Sequence, residues 1–520
     1  VLEYFPSQLT PREKQTTAVN FINKAIGMGC EDIVLAAPTG SGKSAVGVTL
    51  CNWGAANRSS AQPGGYILTT QKMLQDQYAD DFPEIVSLKS SNEYECSSGF
   101  KKCSVGQSSK KCKLGDNCTY RRQRNMFASS RAGVTNYPYF LTERIHVGKF
   151  SKRRILVCDE AHSLERQLIR HMDMTVSERD LPKWAPDIQE VPVLNTLEQF
   201  VEWVEGTYVS AIKERSEVLI ALAEGNDDQA IREAYALEQH VNKVLHALKL
   251  IKEDSKNWVY WQEKDKEGYR DSIARPLDAA PFVDIVRDMA DIRVYMSAYP
   301  GSKSVFCRNL GLKAADVGWC SLRSTFPVEN RPVVMLFAGS MSKRNIEATT
   351  PEFMRLTRKI LDLHKDEKGI IHCNSYALGE LIYANFAPIY PHRLLFPRTA
   401  DERDRAFADH ANSPFPTVII SPSMTEGFDF ASDLATWQII AKIPWPSLGD
   451  AQVLAKKEKD PDWYVMQTVM TVIQASGRIV RSDTDKGVTY ILDSDFTMIW
   501  ERYPQFFPPW YSEAFVWRKK

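Results

Sequence analysis

The run Ile33-Val34-Leu35-Ala36-Ala37-Pro38-Thr39-Gly40-Ser41-Gly42-Lys43-Ser44 constrains this chain more than any other. Its apolar start reads as a short buried strand, and a helical stretch begins at about Lys43. The turn between them fits the Walker A pattern, with Ala37 in place of the first glycine. In such a turn Gly40 and Gly42 let backbone N–H groups face inward around phosphate oxygens. The Lys43 ammonium reaches the β- and γ-phosphates, and the Ser44 hydroxyl ligates Mg²⁺. Thr39 and Ser41 complete the candidate nucleotide cradle. Strand, loop and helix in that order open an α/β domain.

A nucleotide hydrolase of this kind needs an acidic pair at the end of a second buried strand. Ile155-Leu156-Val157-Cys158-Asp159-Glu160-Ala161-His162 supplies it. Asp159 is expected to hold Mg²⁺ through water, and Glu160 to orient and deprotonate the attacking water. Far downstream, Arg478 and Arg481 stand three apart, a spacing that puts both on one face of a helix. Two guanidinium groups aimed across a cleft suit a phosphoryl-transfer transition state.

The 520 residues leave room for about three domains. A hydrophobic content of 43% with 25% charged residues excludes wholesale disorder, collagen-like repeats and a disulfide-dense miniature. No apolar run approaches the roughly 18 residues that span a bilayer, so no membrane partner is expected. Val1-Leu2-Glu3-Tyr4-Phe5-Pro6 lacks the basic and apolar regions of a secretory signal. The expectation is a cytoplasmic protein, or a nuclear one in a eukaryote, and not a secreted one. Basic and acidic residues balance at 65 each, which excludes a wholly basic nucleic-acid coat but leaves room for a local basic path.

Four of the ten cysteines, Cys96, Cys103, Cys112 and Cys118, fall in a stretch that lacks apolar periodicity. Such a segment needs a cross-link to fold. Their spacing, C-x6-C-x8-C-x5-C, leaves disulfides, zinc and an iron–sulfur cluster open, although zinc usually shows tighter cysteine pairs. Residues 96–125 also carry Lys101, Lys102, Lys110, Lys111, Lys113, Arg121, Arg122 and Arg124 against Asp116 alone, a net of +7. That charge suits a phosphate backbone; Tyr94 and Tyr120 are candidates either for stacking on bases or for ordinary packing. From Thr196 to Glu224 and again from Ile231 to Ile251, apolar residues recur at helical spacing, as in an antiparallel hairpin. Candidate strands then return at Val333–Phe337, Ile370–Cys373, Val418–Ser421, Gln438–Ala441 and Val488–Leu492.

Asp159-Glu160-Ala161-His162 is the DEAH box of superfamily 2 helicases, and further motifs resemble that family's in order. Arg12-Glu13-Lys14-Gln15 resembles the Q motif, which implies that Arg12 and Gln15 bind nucleotide and that Gln15 reads the adenine edge. Thr69-Thr70-Gln71 resembles motif Ia, and Met296-Ser297-Ala298-Tyr299 resembles motif III, with Tyr299 in place of the usual threonine. Gly369–Tyr376 resembles motif IV. Thr425-Glu426-Gly427-Phe428-Asp429 resembles motif V, which implies that Asp429 joins the nucleotide site and couples it to DNA. Gln474-Ala475-Ser476-Gly477-Arg478-Ile479-Val480-Arg481 matches motif VI and implies catalytic roles for Gln474, Arg478 and Arg481. With four cysteines between Walker A and the DEAH box, the chain resembles the XPD/DinG helicases. That resemblance implies a [4Fe–4S] cluster on Cys96, Cys103, Cys112 and Cys118, and a hole for single-stranded DNA between cluster domain and Arch.

The expected architecture is α/β: two RecA-like parallel-sheet motor domains, with a small cluster domain and a helical Arch-like insert in the first. The first motor domain takes 1–89, 131–175 and 256–312, the cluster domain 90–130, the Arch-like insert 176–255, and the second motor domain 313–520. The expected function is ATP- and Mg²⁺-dependent, 5′→3′ unwinding of DNA by a monomer working at junctions of single and double strands. Two alternatives stand beside it: a translocase that remodels R-loops or nucleoprotein with weak unwinding, and a non-catalytic helicase-derived DNA-binding module.

Overall fold

Short apolar runs buried on both faces make parallel strands, because crossover helices cover each side of such a sheet. In the computed structural model, which describes residues 1–57, 61–96, 117–224, 228–422, 430 and 432–517, these runs build two parallel sheets. The first strands are β1 (Asp32–Ala36), β2 (Gln62–Thr69), β3 (Ile85–Ser87), β4 (Ala132–Asn136) and β5 (Arg153–Cys158). Then come β6 (Met174–Ser177), β7 (Trp258–Lys264), β8 (Arg270–Pro276), β9 (Ala290–Ser297) and β10 (Val317–Ser321). The remainder are β11 (Val333–Gly339), β12 (Gly369–His372), β13 (Leu394–Leu395), β14 (Val418–Ser421), β15 (Trp437–Ile440), β16 (Val488–Asp493) and β17 (Phe515–Trp517).

The first sheet has the order β10-β1-β9-β5-β2-β4-β3 and the second β13-β14-β12-β15-β16-β11-β17. Each is α/β, as expected from the sequence. Alternation within single strands shows both faces in use. Ile33 and Leu35 of β1 join one core with Ile155 and Val157 of β5, while Val34, Leu156 and Cys158 join the opposite core. Tyr490 and Leu492 of β16 likewise face away from Ile491. At the foot of β1, Asp32 is buried yet fully partnered. Arg293 Nε and a terminal guanidinium nitrogen grip its two oxygens at 3.0 and 2.9 Å, and the Tyr295 hydroxyl donates at 2.9 Å. Burial alone raises a carboxyl, but here these donors outweigh it and hold Asp32 below its ordinary value.

The helical hairpin runs through Leu197–Trp203, a π-helical turn at Val204–Tyr208, Val209–Glu224 and then Asp228–Glu253. Its buried side chains, including Phe200, Val204, Tyr208, Ile212, Leu237, Val244 and Leu248, continue the core on one face of the first sheet. Beside it, β6, β8 and β7 form a separate antiparallel sheet before the chain re-enters the first sheet at β9. Among the described residues, no helix is long and apolar enough to cross a membrane.

The two sheets are joined by an ionic cluster. Lys456, on the second-domain helix Ala451–Lys459, is 1% exposed. Its ammonium lies 3.2 Å from Glu165 Oε1 and hydrogen-bonds Asp278, both upstream of β9 in the first sheet's part of the chain. Glu165 Oε2 also accepts from Trp463 Nε1 and Asn309 Nδ2, each at 3.0 Å. Arg308 adds a two-pronged grip on Asp460 at 2.8 and 2.7 Å. A buried ion pair costs much desolvation, and deleting one partner leaves an uncompensated charge. Lys456→Met is expected to destabilise the protein by about 3–5 kcal/mol, read as a lower denaturation midpoint; an unchanged midpoint contradicts that role.

Candidate nucleotide-binding and hydrolytic site

All strands of the first sheet run parallel, so the loops after β1, β5 and β9 share one edge, where open α/β sheets bind ligands. β9 lies between β1 and β5, and its last residue ties the two loops together. The Ser297 carbonyl accepts from Ala37 N at 2.9 Å, and Ser297 Oγ lies 3.0 Å from His162 Nδ1.

Gly40 and Gly42 adopt φ +77° and +76°, a left-handed backbone that glycine enters without steric cost. Gly42 caps the helix Lys43–Ala56, whose first N–H groups face the turn. Lys43 Nζ donates to the Ala37 carbonyl at 3.0 Å. Ser41 Oγ is buried and has no hydrogen-bond partner among the described residues. An orphaned hydroxyl inside a turn of inward amides fits a phosphate oxygen. The Q-motif residues stand behind this turn. Arg12 reaches the Gly40 carbonyl at 3.2 Å. Gln15 is 4% exposed and takes up both ends of its amide internally, donating to the Gly42 carbonyl at 3.1 Å and accepting from Arg12 N at 2.9 Å. Gln15 therefore braces the turn from behind.

The acidic pair follows β5. Glu160 sits at φ +50°, a strained conformation for a residue with a side chain, of the kind found at functional sites. His162 Nδ1 lies 3.3 Å from Glu160 Oε2. Burial works against ionisation of Glu160, but His162, Lys43 and Arg478 outweigh it and lower its pKa. Asp159 goes the other way: burial, then the neighbouring Glu160 carboxylate, raise it against the pull of Lys43. Two tyrosines missed in the sequence hold Asp159. Tyr78 donates to its carboxylate Oδ2 at 2.9 Å, and Tyr137 to its backbone carbonyl at 2.8 Å. The periodic signal at Tyr78 is weak, since Gln75-Asp76-Gln77-Tyr78 reads as a polar run. Only Gln75 and Tyr78, three apart, mark a shared buried face.

The second domain meets this edge through motif VI. The helix Pro461–Ser476 carries Gln474 but stops at Gly477. Arg478 and Arg481 therefore lie on the turn beyond it, and the expectation that they share a helix face is corrected. The chain leaves the helix because Ile479 and Val480 are drawn into a core with Phe326, Ile370, Ile419 and Phe430. Asp485 then takes the backbone N–H groups of Arg481 and Ser482, each at 2.8 Å. That turn still reaches the first domain. A Cβ placed on Gly40 would meet the Phe326 ring and come within 2.9 Å of the Arg481 carbonyl. Tyr299, of the motif III segment, inserts into the second domain's core and its hydroxyl donates to the Phe506 carbonyl. Asp429 and the rest of the motif V segment, 425–429, lie outside the described residues.

Of the four clustered cysteines, Cys103 and Cys112 also lie outside the described residues. Cys96 is partly exposed, and Cys118 is buried and caps the helix Thr119–Ser129. Their flanks meet: the Tyr94 and Tyr120 rings are 5.7 Å apart. Tyr120 is 8% exposed and its hydroxyl lies 2.6 Å from that of Tyr139, so packing, not base stacking, is its role here. Among the described residues no three His, Cys, Asp or Glu side chains are arranged to hold a metal ion.

Gly40→Ala should close the cradle. The left-handed backbone alone costs a side chain about 1–2 kcal/mol, and the new methyl strikes Phe326 and Arg481. The expected result is at least about tenfold weaker nucleotide binding in a fluorescent-nucleotide titration, with an unchanged circular dichroism spectrum. Unchanged affinity would contradict the placement of this turn.

Two sequence families match the chain: "Helicase C-terminal domain" over residues 358–514 and "Type III restriction enzyme, res subunit" over residues 8–184. The Regulator of telomere elongation helicase 1 homolog of Caenorhabditis briggsae is 29% identical over 103 residues, covering 17% of this chain and 10% of that protein. Its Drosophila melanogaster counterpart is 29% identical over 114 residues, covering 19% and 12%. The match thus spans about a tenth of the length of these curated relatives. Among solved structures, an XPD helicase superposes with a TM-score of 0.61 at 16% identity, over 98% of this chain and 100% of that one. Xpd4 of S. tokodaii gives 0.57 at 12% identity, over 98% and 100%. At such identities the structural likeness speaks for the fold alone, two RecA-like parallel-sheet domains, while residues 358–514 match a helicase C-terminal domain.

Proposed function

We propose that this chain is an ATP-driven motor that moves along single-stranded DNA and separates the duplex ahead of it. The observation that carries this reading is the meeting of two half-sites at one sheet edge. Lys43, Ser44, Asp159 and Glu160 come from the first sheet, and the Gly477–Arg481 turn approaches Gly40 from the second. The charge of Arg478 already bears on Glu160. Glu160, held ionised, orients and deprotonates the attacking water, while Lys43 and the motif VI arginines stabilise charge on the transferred phosphoryl group. Ser44 and Asp159 are the residues that would hold Mg²⁺, which supplies further charge neutralisation when bound. Hydrolysis needs groups from both domains, so each turnover is coupled to their closure. The 5′→3′ direction, the monomeric state and action at single-strand/duplex junctions rest on the resemblance to XPD/DinG helicases.

The cysteine segment is assigned a [4Fe–4S] cluster on Cys96, Cys103, Cys112 and Cys118. Supporting it are four thiols in one segment and the contact that brings the flanks of the first and last together. The basic residues around them suit the DNA backbone.

A forked duplex with one tail of each polarity tests the motor. The expected outcome is ATP-dependent unwinding from the 5′ single-stranded tail, and its loss in Lys43→Ala with the fold intact. Glu160→Gln should still bind ATP while hydrolysis falls by about 10²–10⁴-fold. Binding of DNA with no ATP-dependent movement in the wild type would sink the motor reading in favour of a passive module. For the cysteines, anaerobically purified protein should carry about four irons per chain by elemental analysis, and Cys118→Ser should lose them; stoichiometric zinc would contradict the cluster.

A further inference from the structure

Tyr78 is buried, at 3% exposure, on the helix Lys72–Asp81, outside every motif that resembles the helicase family. Its hydroxyl donates to Asp159 Oδ2 at 2.9 Å, and the Ser44 side chain lies near enough to act on the same phenol. One phenol thus grips the Walker B carboxylate from a place beside the Walker A serine, the two side chains assigned to Mg²⁺. The ring is fixed independently of those contacts. It packs against Phe82, with centroids 6.2 Å apart, and faces Gly47 on the Walker A helix, where a Cβ would lie 3.8 Å from the hydroxyl. Its helix is anchored in turn. Gln75 Nε2 donates to the Leu88 carbonyl at 2.7 Å and to Ser87 Oγ at 2.9 Å, and Lys89 pairs with Asp76 at 2.5 Å. The Asp159 backbone is held from the other side by Tyr137.

We propose that Tyr78 is a positioning residue for the Mg²⁺–nucleotide site, holding the Asp159 carboxylate in one fixed orientation beside Ser44. The physical reason is that oxygen ligands around Mg²⁺ must approach near-octahedral geometry, and that partners behind the ligands set it. A carboxylate swinging freely behind the phosphate turn would have to be ordered at each binding event. With the phenol in place it is ordered beforehand, and Oδ1, which accepts from Glu160 N at 3.0 Å, is the other fixed oxygen. This inference deepens the reading of the site as an ATPase and rests on it.

The test is Tyr78→Phe, which keeps the ring and removes only the hydroxyl. A fluorescent ATP analogue is titrated against the 520-residue chain across a Mg²⁺ series and in EDTA, with thermal unfolding in EDTA recorded in parallel. The expected result is a requirement for Mg²⁺ raised by about 10–100-fold, overcome at high Mg²⁺, with binding in EDTA equal to wild type. A merely structural role would lower the unfolding midpoint and weaken binding equally with and without Mg²⁺; that result overturns the proposal, as does an unchanged Mg²⁺ requirement. If the wild type itself shows no Mg²⁺-dependent binding, the ATPase reading falls first and this proposal with it.

Discussion

The lysine at position 456 decides how the two sheets face each other. It is buried between Glu165, one turn past the DEAH box, and Asp278, beside the antiparallel sheet. Burial alone would lower an ammonium's pKa, but these carboxylates outweigh it and raise it. The charge is therefore kept and must stay paired. Each domain supplies what the other cannot bury alone, which ties the motif VI helix to the segment that carries the acidic pair. Breaking this junction would leave a buried charge without its partner.

From that junction the site follows by short steps. Motif VI can address the phosphate turn because its helix stops at Gly477 and the next residues are pulled into a core shared with Phe326. Tyr299 replaces a small hydroxyl residue with a long one, and its reach is used: it crosses into the second domain's core and bonds the Phe506 carbonyl. In the motif III segment of this chain, contact between domains is thus made by packing and one hydrogen bond together. The strained Glu160 backbone and the two tyrosines on Asp159 show where local geometry is dictated by surroundings rather than by propensity.

Much of this was legible in the amino-acid order. The phosphate turn, the acidic pair, the two strands that flank them and five strands of the second sheet announce themselves, because each is a local pattern of residue type and spacing. Observed bounds such as Trp437–Ile440 for an expected Gln438–Ala441 differ by one residue, within the usual fraying of element ends. The helix expected under Arg478 and Arg481 failed because a three-residue spacing says nothing about where burial of Ile479 and Val480 turns the chain. The resemblance implies that Gln15 reads adenine; its added hold on the Gly42 carbonyl is a contact 27 residues away that the local pattern does not show. Tyr78 and Lys456 carried no signal, for their partners lie 81 and 178 or more residues distant. Such contacts belong to the tertiary fold, where a polar residue inside a helix is a surface residue until its neighbour is known.

The most direct test of a two-domain, DNA-driven motor is steady-state ATP hydrolysis by the purified protein with and without single-stranded DNA. Closure across the cleft predicts slow hydrolysis alone, strong stimulation by single-stranded DNA, and loss of that stimulated rate in Arg478→Ala. Hydrolysis that is absent under both conditions, or indifferent to DNA and to Arg478, would contradict it.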